Sequence, residues 1–220
     1  MLCHPVFSHY SLDMPIDSDD CAFVLELAYV MSEAFSRKAK RAQIFRELLS
    51  HYLGTDIERM ELNKADTDGS ITTAGVLLLN VEVKSELGSG SIGCTYIKST
   101  AYYAEFIKSY YEKKLSALTQ TRCPAFLLYL VGPHLGITGA AYIDKIVCDP
   151  LTPILPLYFL PHERKKMEAI AYAVRALKNG IAELKSYYHD YQRLDKTRRR
   201  YHQLQFPYID SVTVDNEMRY

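Results

Sequence analysis

An excess of charge of one sign is missing from this chain. Its 26 Lys and Arg balance 26 Asp and Glu, so nothing in the overall charge marks a nucleic-acid binder, and any such contact must come from a local patch. Paired cysteines are missing too. The five present (Cys3, Cys21, Cys94, Cys123, Cys148) are odd in number, widely spaced and form no C-x-x-C. That argues against a disulfide framework and a zinc site, and fits a reducing intracellular compartment. The start of the chain lacks a basic segment followed by an apolar stretch, and no run of about 18 apolar residues occurs, which predicts neither a signal peptide nor a membrane span. No two of the seven histidines are spaced i, i+4, so a helical His–His metal site is not expected.

What remains is a chain long enough to bury one ordinary core. Residues 1–18, rich in Pro, Ser and Asp, read as an irregular N-terminal arm, with the fold starting after it. From Asp19 to Leu53, with Asp19 or Asp20 as N-cap, apolar residues recur at helical spacing. They predict one broken helix or two, interrupted around the polar S-R-K-A-K-R stretch at 36–41 and stopped at Gly54. Residues 57–63 alternate weakly as a first strand, and D-T-D-G at 66–69 marks a turn. V-L-L-L-N-V-E-V-K, 76–84, is a nearly continuous apolar run beginning after Gly75, as a central strand of a covered sheet reads. A glycine-rich loop at 87–93 leads to a Tyr- and Lys-rich helix from about Tyr96 to Ala117. Strands are expected at Ala125–Val131 and Gly136–Val147, joined by a tight G-P-H-L-G turn. Pro150, Pro153, Pro156 and Pro161 exclude regular helix between them. From His162, Met167, Ile170, Val174, Leu177, Ile181, Leu184, Tyr188 and Tyr191 form a heptad-like stripe. It marks a long amphipathic helix over 161–205, docked on the domain's own sheet or on a partner protein, with a tail at 206–220. The order of elements predicts an α/β or α+β domain over 19–160, a central mixed sheet flanked by helices.

Chemistry concentrates at 68–84. In a strand Glu82 and Lys84 project to one side and Val81 and Val83 to the other. Burying a carboxylate and an ammonium there costs several kcal/mol unless each is paired or coordinated. A hairpin turning near 73–75 would return Asp68 to the side of Glu82, and two converging carboxylates suit Mg²⁺ or Mn²⁺. Such an ion polarises a phosphoryl oxygen and acidifies a bound water, which Lys84 would orient. E-x-K by itself says little: it recurs at Glu112/Lys114, Glu163/Lys165 and Glu183/Lys185. Those copies fall on expected helices, where residues two apart face nearly opposite ways. The plain alternative is a Glu–Lys surface pair on an edge strand.

G-S-G-S-I-G at Gly88, Gly90 and Gly93 is a literal G-x-G-x-x-G after a strand. A kinase would also need H-R-D and D-F-G, and neither occurs. A dinucleotide site would need an acid ending a second strand some 20 residues on, whereas Glu105 and Glu112 fall within the expected helix. The glycines read instead as a loop that lets a nucleic-acid backbone come close.

The run D-G-(x)12-E-V-K-S-E-L-G-S-G, followed by a Tyr-Tyr helix, P-A-F-L-L-Y-L-V-G-P-H-L-x-I-x-G-A and a Leu-Thr, resembles the restriction-endonuclease-like domain of Crinkler-type effectors and of related fungal kinase-fused proteins. The resemblance covers about 41–206 and implies a PD-(D/E)XK phosphodiesterase core acting on DNA, in the nucleus. It places the catalytic trio at Asp68, Glu82 and Lys84, the metal carboxylates at Asp68 and Glu82, and supporting contacts behind these residues at Glu86 and Glu47. Two positions depart from the pattern: Thr67 replaces the nominal proline, and Lys98 with Tyr102 stands where Q-x-x-x-Y is usual. DNA contacts are expected from Lys98, Tyr102, Lys108, Lys113 and Lys114, interleaved with other tyrosines of the same helix, and from K-T-R-R-R at 196–200, which reads equally as a nuclear-localisation patch. A second reading is a catalytically weak nuclease fold that serves as a DNA- or protein-interaction module, docking through the 162–205 helix.

Overall fold

The structure is a computed structural model that describes residues 4–11, 14–62, 65–73, 75–85, 92–112, 121–158, 162–194, 212–214 and 217–219. Glu86, Gly88, Gly90, Lys113, Lys114 and the 196–200 basic run lie outside the described residues.

Two helices open the fold, α1 (Ser18–Met31) and α2 (Lys38–Leu53). The cap of α1 is Asp17 rather than Asp19 or Asp20: its carboxylate accepts from the Asp19 and Asp20 N–H groups while Asp20 reaches back to the Asp17 N–H. This is a reciprocal capping box one turn ahead of the apolar stripe. Helix α2 ends at Gly54, whose φ of 60° is the left-handed conformation glycine adopts most cheaply. Two short strands follow, β1 (Glu61–Leu62) and β2 (Ala65–Asp66).

The sheet runs β3 (Gly69–Thr73), β4 (Val76–Lys84), β5 (Ala125–Val131), β6 (His134–Tyr142) and β7 (Ile146–Pro150), with β8 (Leu155–Pro156) also on β6. Only β4 and β5 pair in parallel, and α3 (Ile92–Glu112) spans the connection between them. The expected strand at 136–147 is two strands, because the chain bends at 143–145 and returns as β7. Helix α3 starts four residues sooner than expected. The glycine run therefore does lead straight into a helix, but Glu112 still lies in that helix and not at the end of a strand.

Helix α4 (Arg164–Leu194) lays its stripe of Ile170, Val174, Leu177, Ile181, Leu184 and Tyr188 into the core. Leu79 of β4 is in register with Phe126 of β5, and Phe126 packs against Gly180 of α4. On the opposite face, Asn80 and Glu82 meet Ser99 and Lys98 of α3. The mixed sheet is thus flanked by α3 on one face and α4 on the other, and the apolar stripe of α4 is used within the chain.

The segment read as an arm belongs to this core. Residues Pro5–Ser11 form a 3₁₀ turn, and Val6 and Phe7 are fully buried, Phe7 lying edge-on to Phe126 with ring centroids 5.4 Å apart. Its polar composition conceals two apolar anchors. No helix among the described residues is long and apolar enough to cross a membrane.

Candidate functional site

Hairpin geometry builds the site. Strand β3 pairs with β4 antiparallel, Gly69 opposite Val81, so that Asp68 emerges beside Glu82. Gly75, φ 81°, makes the turn. A glycine is required after Asp68 for another reason: a Cβ on Gly69 would stand 2.6 Å from Ile57 and 2.9 Å from the Arg46 stem. The aspartate then takes up hydrogen bonds from two directions. Its Oδ2 accepts the Val83 N–H at 2.8 Å, and its carbonyl accepts from Arg46 Nη1 at 2.5 Å. Thr67, in the place of the nominal proline, holds the approach. Its hydroxyl donates to Asn80 Oδ1 at 2.5 Å and accepts the Gly69 N–H, while Asn80 Nδ2 donates to Ser99 Oγ at 2.8 Å. This buried chain ties the hairpin to α3, and it is fully polar and fully partnered, as a buried network must be to be stable.

Glu82 is 1 % exposed. Its Oε2 lies 3.1 Å from Lys98 Nζ, while its Oε1 is buried with no hydrogen-bond partner among the described residues. Burial pushes the carboxyl up to about 7; Lys98 and, further off, Lys38 pull it down, and the Asp68 carboxylate pushes it up. Lys98 also reaches Asp66 Oδ1 at 3.3 Å. Burial works against its charge, but Glu82 and Asp66 outweigh that and raise its pKa. Lys98 in turn holds Asp66 below the ordinary carboxylate range. On the other carboxylate, Lys38 Nζ from the first turn of α2 stands 2.7 Å from Asp68 Oδ2. Two carboxylates from one hairpin are thus each met by a lysine from a different helix.

Lys84 ends β4, half-buried, on the Glu82 side of the strand by alternation. It forms no ion pair among the described residues. Asp68, Glu82 and Lys98 are brought together.

Other expected residues are placed elsewhere. Tyr102 is 1 % exposed and cannot meet a nucleic acid; with Tyr103, Phe106, Ile107 and Tyr110 it forms the core stripe of α3. Two of these tyrosines also tie the helix to the sheet side by hydrogen bonds, the Tyr103 hydroxyl donating to the Cys123 carbonyl and Tyr110 accepting the Leu77 N–H. Together with Phe106 and Ile107, Tyr102, Tyr103 and Tyr110 recur at four-residue steps (102, 106, 110 and 103, 107), which is a core signal. Lys108 is exposed on the outer side of α3. Glu47 is exposed and bound by Gln43, because Ala42, Phe45 and Leu49 turn the opposite side of α2 inward; its neighbour Arg46 is the residue that reaches the hairpin. Lys38, Arg46, Asp66 and the Thr67–Asn80–Ser99 chain went unread. Only D-T-D-G hinted at them, through its first aspartate.

As donors, Asp68 and Glu82 fit a hard divalent cation. Mg²⁺ needs as few as one or two protein carboxylates when substrate phosphates and water complete its shell, and Glu82 Oε1 is a buried acceptor with no partner among the described residues. No third His, Cys, Asp or Glu joins them in a metal-holding group among the described residues. The chain matches no known protein family, no curated protein and no solved structure.

Proposed function

We propose that this chain is a divalent-cation-dependent phosphodiesterase of the PD-(D/E)XK kind, cutting DNA, with a restriction-endonuclease-like core built on β3, β4, α3 and β5. Supporting this most directly is the Oε1 of Glu82, unpartnered among the described residues and held out of water beside Asp68. A buried carboxylate oxygen without a partner is unfavourable by 1 kcal/mol or more, roughly, unless a ligand uses it. Asp68 and Glu82 would hold Mg²⁺ or Mn²⁺, which supplies polarisation of the scissile phosphate and a more acidic water. Lys84, which forms no ion pair among the described residues, would orient that water and offset charge developing on the phosphate. The Val83 N–H fixes the Asp68 carboxylate, so the pair needs little reorganisation before substrate arrives.

Lys98 favours a second reading. Its ammonium already neutralises Glu82, which suits a fold that binds nucleic acid without cutting it. Supercoiled plasmid incubated with Mg²⁺ or Mn²⁺ separates the two. The nuclease predicts nicking by the wild-type chain that falls at least about 100-fold in Glu82→Ala and Lys84→Ala, the scale on which acid–base and electrostatic groups contribute. Nicking equal in all three, or in none, ends the enzymatic reading; salt-dependent DNA affinity without cleavage establishes the binding module.

A further inference from the structure

The lysines on Asp68 and Glu82 come from different helices, yet both end on the same carboxylate pair. The side chains of Lys38 and Lys98 are 43 % and 39 % exposed, whereas the side chains of the acids they meet are 10 % and 2 % exposed. The carboxylates are fixed by the strand and the ammonium groups sit on long stems reaching in from solvent, so the lysines are the members free to move. We propose that Lys38 and Lys98 are the phosphate-binding residues of this site, released from Asp68 and Glu82 when a divalent cation takes the carboxylates, so that cation and nucleic-acid backbone bind cooperatively. The inference rests on the cation-binding reading above.

Charge leads to the same place. Without a cation, the lysines neutralise Asp68 and Glu82, with Asp66 shared by Lys98. A divalent ion on that pair leaves the two ammonium groups beside a site with surplus positive charge, and a phosphodiester is the anion that fits between them. The first turn of α2 adds to this. It carries Arg37, Lys38 and Lys40, all exposed, with no acid in the turn and no side-chain cap at Arg37. Cations at a helix N-terminus oppose the helix dipole, so this turn breaks a stability rule three times within four residues, as sequences do where function requires it. Arg41, buried behind them, donates to the Ser85 carbonyl just past Lys84 and holds that turn over the end of β4. The polar S-R-K-A-K-R stretch that separated the first two helices in the sequence is thereby part of the site's rim.

The exchange is tested with Mn²⁺ alone and with a labelled DNA duplex. In calorimetry, Lys38→Met and Lys98→Met should each bind Mn²⁺ about fivefold more tightly than the wild type, because a competing ion pair of ordinary strength has gone. In a Lys84→Ala background that keeps the duplex intact, the same changes should weaken DNA binding in the presence of Mn²⁺. They should lower the slope of log affinity against log salt by about one each and about two together, with little effect when Mn²⁺ is absent. Lys98→Arg should retain the slope. Unchanged or weaker Mn²⁺ affinity in the variants, or an unchanged salt slope, overturns the exchange while leaving the nicking result intact. Absence of Mn²⁺ binding by the wild-type chain overturns both the exchange and the cation site.

Discussion

At Glu82 a carboxylate is kept almost wholly out of water with one oxygen on Lys98 and the other on no partner among the described residues. That arrangement has a sign in stability. The folded chain holds the Glu82 proton up to a pH of about 7, against an ordinary value of 4.5. Between those values the folded state binds a proton that the unfolded chain has already released, so this group makes stability fall as pH rises through the window and level off above it. The full span is on the order of 3 kcal/mol. Glu82→Gln, which keeps the shape and cannot ionise, should therefore gain on the wild type between pH 5 and pH 8 by up to that amount in urea denaturation. An identical difference at both pH values would show that Glu82 does not titrate there. The acid itself was legible in the sequence because a charge interrupting an apolar strand is conspicuous. Lys38 was not: it lies 30 positions from Asp68 in the chain, and no periodicity links a helix's first turn to a hairpin.

Elements with one dominant signal were read closely. Strand β5 was expected at its observed bounds and β4 likewise, because a continuous apolar run offers no competing pattern. Helix α3 was read as a helix, but Tyr102, Tyr103 and Tyr110, expected on a nucleic-acid surface, are buried in the core. Tyrosine suits both a core and a nucleic-acid surface, and interleaving with lysine concealed the four-residue steps of the buried stripe. For α4 the stripe left two destinations open, and Gly180 shows which one the fold uses. Its Cα passes so close to β5 that a Cβ would enter the Phe126 ring. Two effects oppose each other in Gly180→Ala. Helix propensity alone predicts a gain of about 1 kcal/mol, while forcing a methyl into a packed ring predicts a loss of about 1–3 kcal/mol. Because the obstacle is a buried aromatic held by β5 and not the end of a flexible side chain, the loss should win. A lower midpoint in chemical denaturation is the expected outcome; a higher one would mean that α4 does not press on the sheet through this residue.

Across the whole molecule, composition carries no global signature of a nucleic-acid binder because opposite charges cancel in the sum, and the structure gathers cations on the first turn of α2 and carboxylates on the adjoining hairpin. The same averaging misled the reading of the first 18 residues, where prolines, serines and aspartates drew more weight than the apolar side chains among them, two of which, Val6 and Phe7, are fully buried. Those two decide the matter. Val6 and Phe7 are 0 % and 3 % exposed, Phe7 meets the Phe126 ring and covers Gly139, where a Cβ would stand 3.0 Å from it. Asp17, still within that segment, caps α1 and receives Arg175 of α4 at 2.7 Å. The 3₁₀ turn therefore closes one end of the core under α4, where a peripheral arm would leave β6 uncovered. Truncating Phe7 to alanine removes an aromatic from a site bounded by strands and a long helix, which have little freedom to collapse into the space. The expected loss is about 3–5 kcal/mol, large against the total stability of a domain this size. It should appear as an unfolding midpoint far below that of the wild type in thermal and urea denaturation. A Phe7→Ala chain that unfolds with the wild-type midpoint would return the segment to the surface and detach it from the core.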